Sequence, residues 1–276
     1  MPDRHVVVNR RGLAFFQDAL RMLDAARIPF LVGGAYAAHV YTGIHRNTRD
    51  FDVFVKREHG QEVLEMFHRA GYRTEMTFHH WLGKIHHRGY YVDVIFSSGN
   101  GVCDVDEAWF RHATPAEVLG RSVLLCPLEE MIWSKAFIME RERFDGADVM
   151  HLIHENADRL DWNRLLERFG QHWRILLAHL VVLGFVYPGE RDKVPAEVMA
   201  ELAHRLGEKT RMVEGAQPCQ GTLLSRSQYL PDLEQGYRDA RLPPYGRLTP
   251  DEVEAWTDAA SDEVDLPQAD SPEERA

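Results

Sequence analysis

Three aspartates are the residues whose type and spacing best suit catalytic chemistry. Asp50 and Asp52 lie two positions apart in the segment DFDVFV, which alternates polar and apolar residues as a half-buried strand does. Because side chains alternate across a strand, both carboxylates project from one face. Asp93 has the same setting in YVDVI. If the two strands are neighbours, the three carboxylates form a hard-oxygen site of the kind that Mg²⁺ prefers.

Each of these aspartates also has an ordinary interpretation. A lone Asp-x-Asp pair is short and common, so Asp50 could begin a strand while Asp52 and Asp93 face solvent. In the catalytic interpretation, the two close carboxylates repel one another unless a cation lies between them. Asp93 would then accept the proton of an attacking hydroxyl, or bind a second metal that does so. The motif that precedes these strands favours the catalytic interpretation.

That motif is a short apolar strand, two glycines and a helix. Leu31 and Val32 run into Gly33-Gly34, and the next residues, AYAAHVY, are predicted to be helical. Glycine lets a backbone turn sharply and approach a ligand closely. A helix N-terminus offers free N–H groups and a partial positive charge to a phosphate. Such a pair of glycines is often only a turn, but here it lies directly before the aspartates.

Together these features resemble the opening motif of the DNA polymerase beta-type nucleotidyltransferase superfamily. The motif runs through FLVGGAYAAHVYTGIHRNTRDFDVFV, and a third aspartate follows on a later strand. The Gly-Gly and Arg-x-Thr-x-Asp-x-Asp variant looks most like the abortive-infection (AbiE-type) toxin-like branch. The resemblance is carried by residues 30–56 and 90–96.

The resemblance implies a role for each matching position. Gly33 and Gly34 would hold the triphosphate. The loop residues Arg46 and Thr48 would belong to the nucleotide site, although Arg46 could instead tie the loop to the sheet. The catalytic and metal-binding set, for two Mg²⁺ ions, would be Asp50, Asp52 and Asp93. Two features depart from the compact members: no serine follows the first glycine, and 15 residues separate the second glycine from the first aspartate.

A lysine interrupts an apolar helical stripe further along the chain. Lys135 lies on the predicted helix from Pro127 to Met139, one turn beyond Met131. In the AbiE-like branch, a Lys … Arg … Asp-x-x-Asp element has this arrangement, which implies that Lys135 contacts nucleotide phosphates. The alternative is a lysine that reaches solvent beside an ion pair between helices. By the same resemblance, Arg141 or Arg143 would assist the lysine. Asp145 and Asp148 would orient these cations or hold the two helices together.

The chain has 15 histidines and three cysteines, but neither set predicts a metal site. The adjacent histidines His79-His80 and His86-His87 project to opposite faces of a strand, so each pair offers one ligand per face. No Cys-x-x-Cys pair is present. One of these histidines, or Lys84, could line the substrate cleft if the strand 81–88 borders it.

Composition bounds the compartment and the partners. The net charge is −11, but residues 249–276 hold ten acidic residues and one arginine, so the remainder is near −2. The near-neutral core therefore has no basic stripe of the kind that a strong RNA binder shows, and no recognition of a DNA sequence is expected. An anionic substrate remains compatible with this charge. The scattered cysteines and the lack of an apolar leader predict a cytoplasmic protein. The longest uncharged apolar run, 175–187, is shorter than a bilayer requires, so we expect a buried helix and no membrane partner.

The sequence thus predicts an α/β (α+β) protein with a small mixed β-sheet. Residues 1–126 would form a nucleotidyltransferase catalytic core and 127–214 a helical domain. The remainder, 215–276, would be an irregular segment and an acidic, disordered tail that could bind a partner protein.

The predicted activity is magnesium-dependent transfer of a nucleoside monophosphate from a nucleoside triphosphate, such as ATP, to a hydroxyl of RNA or protein. A role in a toxin–antitoxin pair follows from the same resemblance. The alternative is a catalytically inactive nucleotide-binding or regulatory protein with this fold.

Overall fold

The computed structural model describes residues 10–208 and 217–264. Its centre is a seven-stranded mixed sheet in the order β3-β4-β5-β2-β1-β7-β6. The predicted α/β class with a mixed sheet is confirmed. The strands are β1 (Leu31–Val32), β2 (Asp50–Phe54), β3 (Arg73–Phe78), β4 (Leu82–His87), β5 (Tyr90–Ile95), β6 (Thr114–Val118) and β7 (Arg121–Leu125).

The strand β2 lies in the middle of this sheet. It pairs in parallel with β5 and antiparallel with β1. Its apolar residues Phe51 and Val53, and Val55 just beyond it, are fully buried. The polar face of β2 is only half-buried, as period-two alternation predicts. Because β2 pairs with β5, the strand that carries the third aspartate lies next to the Asp-x-Asp strand.

Nine helices of the described chain precede residue 209. Four belong to the first half: α1 (Arg10–Ala26), α2 (Gly34–Thr42), α3 (Arg57–Arg69) and α4 (Glu107–Arg111). The next five are α5 (Leu128–Ala136), α6 (Gly146–Asn156), α7 (Trp162–Phe169), α8 (Trp173–Val186) and α9 (Ala196–Gly207). The sequence also predicts Asn9 as the N-cap of the first helix, and this residue lies outside the described ones.

Several element boundaries differ from the sequence prediction. The sequence predicts a helix over about residues 61–70, whereas α3 begins at Arg57, one turn earlier, because its polar first turn has no apolar periodicity. The sequence also predicts one extended stretch over residues 118–125. In the structure these residues belong to the hairpin β6–β7, with Leu119 and Gly120 in the left-handed region at its turn. The helix α5 ends at Ala136, so Met139 is not on its apolar stripe.

The later helices pack against the sheet domain through α2. The side chain of Asn156 at the end of α6 donates hydrogen bonds to the backbone oxygens of Tyr41 (3.0 Å) and Leu152 (2.9 Å). Asn156 is 2% exposed, so these bonds satisfy a buried amide. They fix α6 beside the helix that follows the glycine pair.

One helical stretch within residues 10–208 and 217–264, Trp162–Val186, is long and apolar enough to cross a membrane by length and composition, which is weak evidence because core helices also pass this test. The part predicted to be a buried helix, α8, buries only one face. Leu176 and Leu180 are buried on it, whereas Val181 and Phe185 are exposed.

The prediction of a disordered tail from residue 249 is wrong for Pro250–Val264, which forms the helix α11. Its first turn is closed by a capping box, in which the Thr249 N–H donates to Glu252 (2.8 Å) and the Glu252 N–H donates to the Thr249 hydroxyl (3.3 Å). Trp256 packs against Phe78 and Trp81, with ring centroids 5.0 and 5.1 Å away. The capping box is a sequence signal for this helix, but the high acidic content of the segment favoured a prediction of disorder. Residues 265–276 lie outside the described chain.

The described stretch 217–249 also packs on the half of the chain that contains the seven-stranded sheet. It contains β8 (Pro218–Cys219), α10 (Leu230–Glu234) and β9 (Arg238–Asp239). The amide of Asn100 donates to the Leu223 oxygen (2.7 Å), and Arg247 donates to the Gly101 oxygen (2.8 Å). These contacts join the predicted irregular segment to the loop that follows β5.

Candidate active site

The structure brings the three predicted carboxylates together. In the parallel pairing of β2 with β5, Asp52 lies directly opposite Asp93, and Asp50 lies opposite Tyr91. One carboxylate oxygen of each aspartate lies within 4.8 Å of the others. In residues 10–208 and 217–264, no other group of three acidic, histidine or cysteine side chains is as close. We call these three residues the carboxylate cluster.

Burial and mutual repulsion perturb the cluster. The pKa of Asp52 is raised to about 7 by burial first, then by the charges of Asp93 and Asp50, while Lys135 and Arg143 lower it. The pKa of Asp93 is also raised by burial, against the lowering effect of Lys84. Close carboxylates in a poorly solvated site favour a proton or a cation between them.

The glycine pair approaches the same cluster. The Gly33 N–H donates to the Asp52 backbone oxygen (3.0 Å), which holds the turn against β2. Gly34 begins α2 with φ +54°, and a Cβ there would collide with the Asp52 carboxylate. Glycine is therefore required by both backbone conformation and space. The consequence is that the N-terminus of a nine-residue helix faces the carboxylates.

The loop before β2 holds its first aspartate in place. The Thr48 hydroxyl donates to the Asp50 carboxylate, and the Asp50 N–H is 3.3 Å from the same hydroxyl. Arg46 does not reach the carboxylate cluster. It forms an ion pair with Asp148 on α6, with Nη1 2.9 Å from Oδ2. Of the two roles considered for Arg46, a nucleotide contact or a link between the loop and the sheet, the structure is closer to the second. The link, however, runs to the helix α6 and not to the sheet.

Lys135 is engaged in an ion network next to the cluster. Its Nζ lies 2.9 Å from Asp145 Oδ2 and 2.8 Å from Asp148 Oδ2. Arg143 makes two further 3.0 Å hydrogen bonds to Asp145. Burial opposes ionisation of Asp145, but the Arg143 hydrogen bond and the Lys135 charge lower its pKa to about 2. We call these residues, with Arg46, the helix ion network, and they join α5, α6 and the loop before β2.

The network predicts a stability effect for Lys135→Met. The variant would leave two poorly exposed aspartates with one cationic partner each, so we expect a loss of about 1–3 kcal/mol in the free energy of unfolding. Urea unfolding measures it. Arg205→Met removes a surface ion pair to Glu201 and should cost under about 1 kcal/mol. Equal losses in the two variants would contradict a stabilising network.

Two residues of the site gave little or no signal in the sequence. Lys84, mentioned only as a possible cleft residue, binds both oxygens of Asp93, at 2.9 and 3.0 Å. Tyr36, two residues after Gly34 on α2, was missed. It is 4% exposed and its hydroxyl has no hydrogen-bond partner within the described chain. Burial, then the charges of Asp50 and Asp52, raise the pKa of Tyr36, so its hydroxyl stays protonated beside the cluster.

The paired histidines have structural contacts. His80 is buried, with Nε2 3.0 Å from the Gly99 oxygen, and His86 is 3.2 Å from Glu75. His87 packs against the rings of Phe15 and Tyr72.

The cluster fits a divalent cation by its donor set. Three carboxylates offer hard oxygen ligands, and Asp50 and Asp52 have no ion-pair partner among residues 10–208 and 217–264. Lys135 and Arg143 lie near enough to affect the pKa of Asp52, which gives the site a cationic side as well. The arrangement can therefore bind a metal and a polyphosphate between a helix N-terminus and the helix ion network.

This combination of sheet, glycine turn and carboxylates defines a nucleotidyltransferase. The chain belongs to a family of uncharacterised nucleotidyltransferases, whose sequence profile matches residues 6–185. The match begins before α1, covers all seven strands of the sheet and ends at residue 185, in α8. It establishes the enzyme class, whereas the AbiE-type branch is a finer assignment that it does not address. No curated protein matches the chain.

Three solved structures that the chain resembles are distant from it in sequence. The lincomycin-bound lincosamide antibiotic adenylyltransferase LnuA is 17% identical over 52% of this chain and 96% of its own, with a TM-score of 0.39. ANT(2″)-Ia in complex with adenylyl-2″-tobramycin is 17% identical over 71% and 99%, with a TM-score of 0.38. An antigenic nucleotidyltransferase-like protein from Paracoccidioides brasiliensis is 15% identical over 62% and 92%, with a TM-score of 0.36.

Proposed function

We propose that this protein transfers a nucleoside monophosphate from a nucleoside triphosphate to an acceptor hydroxyl, in a magnesium-dependent reaction that releases pyrophosphate. The observation that carries the proposal is the register of Asp52 with Asp93 beside the turn at Gly34. The two proposed metal ligands, the third carboxylate and the helix terminus proposed to bind phosphate therefore lie close together.

The residues divide the work as follows. The free N–H groups at the start of α2, after Gly33, bind the triphosphate. Asp50, oriented by Thr48, and Asp52 hold the metal. Bound Mg²⁺ would supply charge stabilisation for the attacking and leaving oxygens, and two ions are expected during turnover.

The acceptor oxygen forms a bond to the α-phosphorus as the bond from that phosphorus to the bridging oxygen breaks, and pyrophosphate leaves with the bonding electrons. The hydroxyl proton passes to Asp93 or to a base that Asp93 helps to position. Lys135 and Arg143 add positive charge on the phosphate side, in keeping with their influence on Asp52.

The acceptor is proposed to be RNA or protein, in a toxin component that acts in the cytoplasm. The support is the order Lys135, Arg143, Asp145, Asp148, which resembles the charged element of the AbiE-like branch and forms a network beside the cluster. ATP is one candidate donor. Within the segment from residue 215, the parts that do not pack on the sheet domain remain the proposed surface for a partner protein.

Labelling in a lysate tests this function. Purified protein is incubated with cell extract, Mg²⁺ and each α-labelled nucleoside triphosphate in turn. We expect label in RNA or protein, and release of unlabelled pyrophosphate. Label in a small hydroxyl compound would contradict the proposed acceptor class, RNA or protein, but would support the proposed transfer reaction. Absence of label in all four reactions, with pyrophosphate also absent, would contradict the proposal.

One observation favours the alternative of an inactive nucleotide-binding protein. Lys84 holds both oxygens of Asp93, which a catalytic carboxylate needs to have available. Calorimetry distinguishes the two functions. Magnesium-dependent binding of a nucleoside triphosphate without pyrophosphate release, in the presence of extract, would favour the regulatory protein.

A further inference from the structure

Lys84 is built into the carboxylate cluster by the sheet itself. In the antiparallel pairing of β4 with β5, Lys84 lies directly opposite Asp93. Its ammonium is 5.7 Å from the centroid of the Tyr91 ring, which packs beside the side chain. The lysine side chain is 28% exposed and that of Asp93 12% exposed. A lysine fixed by strand register and an aromatic neighbour is not a surface side chain that meets an acid by chance.

The contact uses the whole of the Asp93 carboxylate. Both oxygens lie at hydrogen-bond distance from the same ammonium, at 2.9 and 3.0 Å. Asp50 has only the Thr48 hydroxyl as a side-chain donor, and Asp52 has no ion-pair partner in the described parts of the chain. The three carboxylates therefore differ: two are available to a metal, and the third already has a cation.

We propose that Lys84 is a resident counter-ion that competes with divalent metal for Asp93. In the nucleotide-free protein, Asp50 and Asp52 then bind the metal, while Asp93 remains a partner of Lys84 and not a ligand. Lys84 is a positioning residue in this assignment, since it acts through Asp93. The inference rests on the metal-binding role proposed above for the cluster.

Mn²⁺ titration of the full chain without nucleotide tests the competition. Electron paramagnetic resonance of free Mn²⁺ gives the affinity, and the relevant site is the one that Asp52→Asn removes. We expect Lys84→Met to bind Mn²⁺ about tenfold more tightly than the wild type, because both oxygens of Asp93 become available. Lys84→Arg, which keeps a cation, should stay near the wild type.

A double-mutant cycle separates competition from simple charge. If Lys84 acts only through its positive charge, its removal should raise the Mn²⁺ affinity by a similar factor whether or not residue 93 is a carboxylate. Competition requires Asp93, so the gain from Lys84→Met should disappear in an Asp93→Asn background. Lys56→Met is the matched control, because Lys56 also pairs with an acid, Glu107, and lies 5.7 Å from an aromatic ring, that of Phe110. It should leave Mn²⁺ affinity unchanged.

Two outcomes would overturn the inference: no gain in Lys84→Met, or an equal gain in both backgrounds. Circular dichroism and thermal unfolding establish that each variant is folded, and Lys84→Gln replaces Lys84→Met if the latter is not. Failure of the proposed metal site is distinguishable, because Asp52→Asn would then bind Mn²⁺ as the wild type does.

Discussion

Asp52→Asn should reduce nucleotide transfer by at least about a thousandfold while leaving the fold intact. The amide has the shape of the carboxylate but cannot supply a charged ligand to a metal, and a site whose members act as a unit loses most of its activity when one is removed. Asp52 is the central member, in register with Asp93 and in contact range of the glycine turn. The rate of pyrophosphate release with extract measures the loss.

The same variant should be more stable than the wild type above neutral pH in the absence of metal. The pKa of Asp52 is raised from 3.8 to about 7 in the folded protein. Its protonated form therefore contributes stability that is complete below about pH 4 and is lost as the pH rises through about 7. At about 1.4 kcal/mol per pKa unit, the loss is up to about 4 kcal/mol. Asparagine, which does not titrate, avoids it.

Thermal unfolding at pH 5 and pH 8, with EDTA and with Mg²⁺, examines both effects. Asp52→Asn should gain over the wild type mainly at pH 8, and Mg²⁺ should stabilise only the wild type. Asp18→Asn is the control, since Asp18 forms an exposed ion pair with Arg21 on α1. Full activity of Asp52→Asn, or a stability gain that is independent of pH, would contradict the role of Asp52.

Gly34→Ala should inactivate the protein for a different reason. Alanine at φ +54° costs about 1–2 kcal/mol, and its Cβ would also displace the Asp52 carboxylate. Gly43→Ala is a close match, because Gly43 has φ +70° at the other end of α2 and no atom within 4 Å of its would-be Cβ. The two variants share the backbone strain but only the first disturbs the cluster.

Activity and urea unfolding of the two alanine variants separate strain from collision. We expect both variants to lose stability, because they share the backbone strain. Only Gly34→Ala should lose nucleotide transfer. Equal activity in the two variants would show that the close approach of the glycine turn to Asp52 is not needed for the reaction.

The cluster was predictable because its signals are local. Period-two alternation placed Asp50 and Asp52 on one face of β2, and Phe51 and Val53 on the buried face. The pairing of β2 with β5 depends on contacts distant in sequence, and it was inferred through the family resemblance. The register that sets Asp52 against Asp93 then follows from the sheet.

The remaining features differ in how far the sequence predicts them. Lys84 lies opposite Asp93 because of the register of the β4–β5 hairpin. The sequence alone did not predict that register, so the ion pair between the two residues was not predicted. The sequence singles out Lys135 on an apolar stripe and predicts that Asp145 and Asp148 orient nearby cations or hold two helices together, and both aspartates pair with Lys135 in the structure. The helix α11 was missed because a charge-rich composition outweighed the capping box at Thr249.

Crystallography with Mn²⁺ and a non-hydrolysable nucleoside triphosphate tests the central claim most directly. The anomalous signal of Mn²⁺ distinguishes the metal from a water molecule or a lighter ion. The account predicts Mn²⁺ bound by Asp50 and Asp52, with the triphosphate against the N-terminus of α2 at Gly33 and Gly34. Mn²⁺ bound elsewhere, with the carboxylate cluster free of metal and the triphosphate away from this turn, would contradict it.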